Sequence, residues 1–351
     1  MPQDHARLAR EARLGCEPLS VVELEKRGVS RAVVRGPKWR RTSYGCFVPT
    51  DVGTVDGVRT PLQRIIEASP LVPASGALTG WASAYLAGVT SLDGLDSETR
   101  KELAVPICLG RDVGRKRKGE WVFMRDGLPV EDVQTVKLRA GEPLLGQDVP
   151  LQLRATKPDR AAFDGARAAR DLGEAVAFID ACANAGWISL NSLTNYLSTR
   201  AGARRIAFVR QALGLADGAA RSTWESRLRV FYITVARLPR PLVNVPVFDL
   251  DGRLLGIADL LDPEAGLVTE FDGSQHRLRQ QHRADNEREE GFEDAGLTVV
   301  RADSLDMNEH ERRLTRRLDS GYRRGMQRDR RRDRWTLAAP GWWLENQTEL
   351  A

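Results

Sequence analysis

No run of about 18 apolar residues, the length a bilayer-crossing helix needs, occurs in the chain. A membrane-spanning helix, and a membrane partner, are therefore not expected. The opening segment MPQDHARLAREARLG is polar and charged with no apolar h-region, which argues against a secretory signal and for a cytoplasmic protein. Cysteine is scarce: Cys16, Cys46, Cys108 and Cys182 stand far apart and form no C-x-x-C pair. That spacing indicates neither a zinc knuckle nor a disulfide framework. No internal repeat is found either.

What the chain does have is length and unevenly placed charge. Its 351 residues are too many for one small core and suggest two or three domains. With 42% hydrophobic and 29% charged residues it has the composition of a globular protein. The net charge is only +5, yet between Glu311 and Arg334 eleven arginines stand against four acids and no lysine. Arginine forks match phosphate oxygens, which points to nucleic acid. A solvated basic helix face has the same signature, and the run alone does not separate the two.

Residues 1–50 read as helix, turn, helix and short β segment. Leu19, Val22 and Leu24 pack one helix, Gly28 breaks it, and Ser30 caps a second through Val33 and Val34. Trp39-Arg40-Arg41 then leads into TSYGCFVP. This is the layout of a winged helix-turn-helix, with Arg31 and Arg35 on the second helix and Lys38, Arg40 and Arg41 on the wing as DNA contacts. The alternative is a small docking module that touches no DNA, and fold analogy does not choose between them.

Residues 51–150 read as a mixed α/β region. Two helices are interrupted by Pro70 and Pro73. Short strands follow near Leu103 to Leu109, Glu120 to Arg125 and Val133 to Leu138. The segment GRDVGRKRKGEW is either a phosphate-contacting tip or a solvated turn. Residues 151–216 read as a helical linker region, strongly helical from 158, broken at Gly173 and Gly186 and capped at Ser189. Asp164, Asp171 and Asp180 read there as capping or surface residues, not ligands.

The pattern changes at Arg221. STWESRLRVFYITVARL is an amphipathic helix with Ser222 as N-cap and Glu225 three residues on, as in a capping box. Three strands are expected next, Val243 to Phe248, Leu254 to Leu261 and Leu267 to Phe271, joined by the turns DLDGR and DPEAG. A polar helix from about Leu278 to Ala295 and a fourth strand, LTVVRAD, complete the segment. Two acids interrupt the apolar strands: Asp259 in GIADLL and Glu270 in LVTEFDG. A buried carboxylate without a partner is costly, and two on adjacent strands can share a divalent cation. Asp272, two residues after Glu270, shares its strand face. Asp259, Glu270 and Asp272 thus form a candidate set of ligands for Mg2+ or Mn2+, with Glu225 approaching from the helix. Such a set suits phosphodiester hydrolysis. His276 is either the general acid or base of that site or a surface loop histidine. His282 and His310 read as surface residues.

The segments WESRLR, GIADLLDPEAGLVTEFDGSQH and RADNEREEGFEDAGLTVVR resemble the Vsr-like branch of the PD-(D/E)XK nuclease superfamily. Glu225, Asp259, Glu270, Asp272, His276, Asp285 and Arg288 match that branch's motif positions. Its usual E-x-K lysine is replaced here by Asp272. PLSVVELEKRG and YGCFVP resemble the N-terminal winged helix of AbiEi-type antitoxins, and SGALTGWASAYLAG and RAAFDGAR are similar to the same composite architecture. The resemblance implies an α+β multidomain protein. It would have a winged helix-turn-helix over 1–50, a mixed α/β middle domain over 51–150 and a helical region over 151–216. An αββαβ restriction-endonuclease-like core would follow over 217–310, and an Arg-rich helix and tail over 311–351. It also implies magnesium-dependent nuclease chemistry without fixing a substrate; an endonuclease acting on double-stranded DNA, in defence or repair, is carried as the expected function. Arg288, Arg323 and Arg324 would add to the DNA grip, and a homodimer is carried as a further expectation. The alternative is an antitoxin-like DNA-binding regulator whose nuclease fold is a non-catalytic scaffold.

Overall fold

The computed structural model describes residues 3–110, 119–142, 144, 148–273 and 288–349. His276, Asp285 and most of the basic segment, residues 111–118, lie outside the described residues. The protein is mixed α+β and packs as two compact units. One comprises Met1–Arg170 and Ala181–Leu213, the other Asp171–Asp180 and Gly214–Ala351. Among the described residues no helix is long and apolar enough to cross a membrane.

The first unit opens with helices His5–Leu14, Val21–Lys26 and Arg31–Val34. Ser20 caps the second with a full capping box and Ser30 caps the third, each satisfying backbone N–H groups that a helix start leaves bare. The third helix is a single turn of four residues. Strands Leu19–Ser20, Cys46–Pro49 and Trp39–Ser43 form a small antiparallel sheet in that order. Leu19, Leu24 and Val34 pack between helices and sheet, with Val29, Trp39 and Phe47 around them.

A second sheet of the same unit runs Trp121–Met124, Val105–Cys108, Ala77–Leu78, Asp148–Thr156, Val133–Gly141. Its longest ladder pairs Val133–Gly141 antiparallel with Asp148–Thr156 over nine residue pairs. That second strand corrects the sequence expectation of a helical region from 151. Leu151, Leu153 and Ala155 are buried while Gln152 and Arg154 are exposed, so the period is two and not 3.6.

Helix Pro158–Ala168 carries Asp164, which is completely buried. Its carboxylate meets Arg160 at 2.9 Å, Arg167 at 2.7 Å and the Thr79 hydroxyl at 2.6 Å. Asp164 is therefore the centre of an internal ion network and not a surface or capping residue. The same correction applies to Asp180, which in the second unit accepts from Arg229, the Ser226 hydroxyl and the Asp217 N–H. Asp171 does cap, accepting the Glu174 N–H at 2.9 Å. The four cysteines are all free thiols, three of them buried.

The second unit is built on the sheet Thr298–Ala302, Leu267–Phe271, Leu254–Asp262, Leu242–Asp249, Trp335–Thr336. The pair Leu267–Phe271 with Thr298–Ala302 is parallel and the others antiparallel. A parallel pair needs a crossover, and the helix at residues 288–294 lies on that connection. The hairpin turns follow from their residues. Asp249 accepts N–H groups of Asp251 and Arg253, with Gly252 at φ +81. Asp262 accepts that of Ala265, with Gly266 at φ +58.

One face of the sheet packs on helices Thr223–Thr234 and Glu311–Met326 through Leu228, Phe231, Tyr232, Leu314 and Leu318. The other packs Val247, Ala258, Leu261 and Val268 on Phe292 and Leu297.

Candidate active site

Three acids of the second unit stand on three separate elements. Glu225 sits in the first turn of helix Thr223–Thr234, Asp259 in strand Leu254–Asp262, and Glu270 in strand Leu267–Phe271. The hairpin register pairs Leu260 with Thr269 and Leu261 with Val268. The next step brings Asp259 opposite Glu270. There the regular ladder gives way to side-chain bonds: the Asp259 N–H donates to Glu270 Oε1 at 3.4 Å, and the Phe271 N–H donates to Asp259 Oδ2 at 2.9 Å. Each carboxylate thus occupies a place that a backbone carbonyl would otherwise fill.

Glu270 is buried and Asp259 half-buried. Burial pushes the Asp259 carboxyl well above the usual carboxylate range. The charge of Glu270 adds to the shift, and that of Glu225 adds further. Glu270 is raised too, chiefly by burial, with the ion pair to Arg288 working against it. Loss of water disfavours the charged form, and a neighbouring like charge disfavours it again.

The Arg288 side chain reaches Glu270 from the helix at residues 288–294. A Cβ at Gly256 would sit 2.8 Å from that side chain and from Phe292, so the missing side chain at 256 is what lets this helix approach. Arg301 lies opposite Glu270 in the parallel ladder and pairs with Glu289 at 2.6 Å.

Glu225 does not close the expected capping box. The Ser222 hydroxyl accepts the Glu225 N–H at 3.1 Å, but Glu225 Oε2 turns to the Arg221 N–H at 2.9 Å and to the Asn244 amide at 2.7 Å. Beside it, Trp224 stacks on Phe271 with ring centroids 5.1 Å apart, and the Arg227 guanidinium lies 5.2 Å from the Trp224 ring. Neither Asn244 nor the Trp224–Phe271 stack belongs to the acid pattern of the sequence. The signal for Asn244 was a lone amide inside the apolar run LVNVPV.

Asp272 follows the strand directly, its N–H donating to the Ala302 carbonyl at 2.8 Å and its side chain half-buried. Among the described residues no group of three His, Cys, Asp or Glu side chains gathers closely enough to hold a metal ion; Asp259 and Glu270 form the convergent pair. Their donors are all oxygen, the chemistry that magnesium and manganese favour. The Coulomb cost they share is one that a divalent cation would remove.

The basic residues fall into two groups. Lys38, Arg35 and Arg324 are exposed, as is Arg31, which pairs with Glu25 at 2.7 Å. Arg323 is exposed and pairs with Asp319 at 3.0 Å. Arg41 is exposed and lies 5.6 Å from the Tyr44 ring. Arg40 instead forms two bonds of 2.7 Å to Glu67, which directs its fork into the protein. In the Arg-rich run, Arg317 binds Asp306 and the Arg301 carbonyl, and Arg328 binds Asp333 and the Glu264 carbonyl. Arg312, Arg313 and Arg316 are exposed.

No protein-family model matches the chain, and no curated protein or solved structure does.

Proposed function

We propose that this protein is a divalent-metal-dependent endonuclease that hydrolyses phosphodiester bonds in double-stranded DNA, with a Vsr-like PD-(D/E)XK core and an N-terminal winged helix. The observation that carries the reading is the pairing of Asp259 with Glu270: two acids on adjacent strands, tied by an Asp259 N–H to Glu270 bond and withdrawn from water, with the charge of Glu270 raising the Asp259 carboxyl further. Asp259 and Glu270 would hold Mg2+ or Mn2+; Asp272, the third ligand expected from the sequence, does not gather with them into a group of three. When bound, such an ion polarises the scissile phosphate and lowers the pKa of its water. The chain's own residues orient that chemistry. The exchanged backbone bonds fix both carboxylates, Glu225 brings a third acid from the helix, and His276 is the proposed proton carrier. Arg31, Arg35, Lys38, Arg41, Arg323 and Arg324 are proposed to contact the phosphate backbone, which makes binding salt-sensitive.

A second reading, an antitoxin-like DNA-binding regulator on a non-catalytic nuclease scaffold, is favoured by two features. Arg288 already neutralises Glu270, and Asp272 stands where the superfamily's lysine is usual. Plasmid and oligonucleotide cleavage with Mg2+ or Mn2+ separates the two readings. The nuclease reading expects metal-dependent nicking, reduced at least about a hundredfold in Asp259→Ala and Glu270→Ala. Equal cleavage by wild type and both variants sinks it, and sequence-specific binding without cleavage transfers the case to the regulator.

A further inference from the structure

We infer that Asn244 is a positioning residue for the acid site: its backbone bends the sheet at the level of Asp259, and its amide ties Glu225 to the strand. The inference rests on the metal-site reading above. Among the described residues five non-glycine positions have positive φ, and Asn244, at +48, is the one inside a strand. It falls in the register between Val243↔Leu260 and Val245↔Ala258, which puts it opposite Asp259.

The bend shows in the packing. Val243 and Leu260 belong to the cluster with helix Thr223–Thr234, whereas Val245, Val247 and Ala258 belong to the cluster on the other face. Residues two apart in a regular strand share a face, so both strands change faces at 244 and 259. An apolar strand can thereby carry Asp259 at its crossing point. Asparagine is among the few side chains that tolerate a left-handed backbone. Its amide here donates to Glu225 Oε2 at 2.7 Å and to the Ala219 carbonyl at 2.9 Å. One residue thus sets both the strand geometry around Asp259 and the place of the helix acid.

The test uses the full chain, Mn2+ titration calorimetry and thermal melting. Asn244→Gly keeps the left-handed backbone and deletes the tether. It is expected to weaken Mn2+ binding about tenfold, the low end of what losing an outer-shell partner costs, because Glu225, the acid outside the metal-holding pair, is no longer tied to the strand, with little change in melting temperature. Asn244→Ala loses both features and is expected to melt lower as well. In a Glu225→Ala background, which removes the acceptor, the Asn244→Gly effect on Mn2+ should largely disappear, because the tether acts through Glu225. Wild-type Mn2+ affinity in Asn244→Gly, or an undiminished effect in the Glu225→Ala background, overturns the inference. Absence of Mn2+ binding by the wild type overturns the metal-site reading itself and the inference with it, an outcome distinct from a defect confined to the variants.

Discussion

Asp259 and Glu270 bear a cost that the fold does not need. Two carboxylates on adjacent strands, one buried and one half-buried, repel, and water that would screen them is largely excluded. Asp259→Asn removes one charge while its side-chain oxygen can still accept the Phe271 N–H. We expect this variant, without metal, to be more stable than the wild type by roughly 1 kcal/mol, seen as a rise of ~2–4 °C in melting temperature. Mg2+ should raise the melting temperature of the wild type and leave Asp259→Asn unmoved, since a ligand stabilises only the state that binds it. A lower metal-free melting temperature in the variant would show that Asp259 is structural. Both acids were legible in the sequence, because a carboxylate inside an apolar strand is conspicuous. Asn244 is not legible there, because its role comes from a backbone angle and from Glu225, which lies on another element.

At the level of elements, helix Glu311–Met326 shows how closely this unit is packed. Gly325 lies against the hairpin turn, and a Cβ there would meet the Ala265 carbonyl oxygen at 1.8 Å. Backbone cannot give way cheaply. We expect Gly325→Ala to lose about 2–3 kcal/mol in urea unfolding. At Gly321 the nearest atom is a methyl of Leu267 at 3.1 Å, which can rotate. There the gain in helix propensity, about 1 kcal/mol, offsets the crowding and leaves Gly321→Ala near neutral. Equal losses at the two positions would refute the close-approach account. The sheet strands of this unit matched their periodicity: Leu242–Asp249, Leu254–Asp262 and Leu267–Phe271 extend or equal the ranges read from alternation and turns. Strand Asp148–Thr156 is obscured in the sequence because a strongly helical composition begins directly after its short run of period two.

For the molecule as a whole, the second unit is not continuous in sequence. It takes in Asp171–Asp180 as well as Gly214–Ala351. Arg229 on helix Thr223–Thr234 is 0% exposed and pairs with Asp180, itself 1% exposed. Breaking such a pair by removing one partner leaves a buried charge and costs about 3–5 kcal/mol. A fragment of residues 217–351 lacks Asp180, so we expect it to fold poorly or aggregate, while residues 171–351 regain cooperative melting. Asp180→Asn in the full chain should lower stability by a similar amount, and an unaffected melting curve in both cases would refute this dependence. The sequence by itself determined the helix after Ser222, the four strands from Leu242 to Ala302, their turns and the two strand acids, because those depend on short-range periodicity, capping and the cost of polar groups in apolar runs. Only the tertiary structure decided that Asp180 belongs with Arg229, that Arg288 faces Glu270 and that Asn244 holds Glu225. Those pairings join residues 18 to 49 positions apart, and no local pattern specifies which buried charge or amide will meet which partner once the chain has packed.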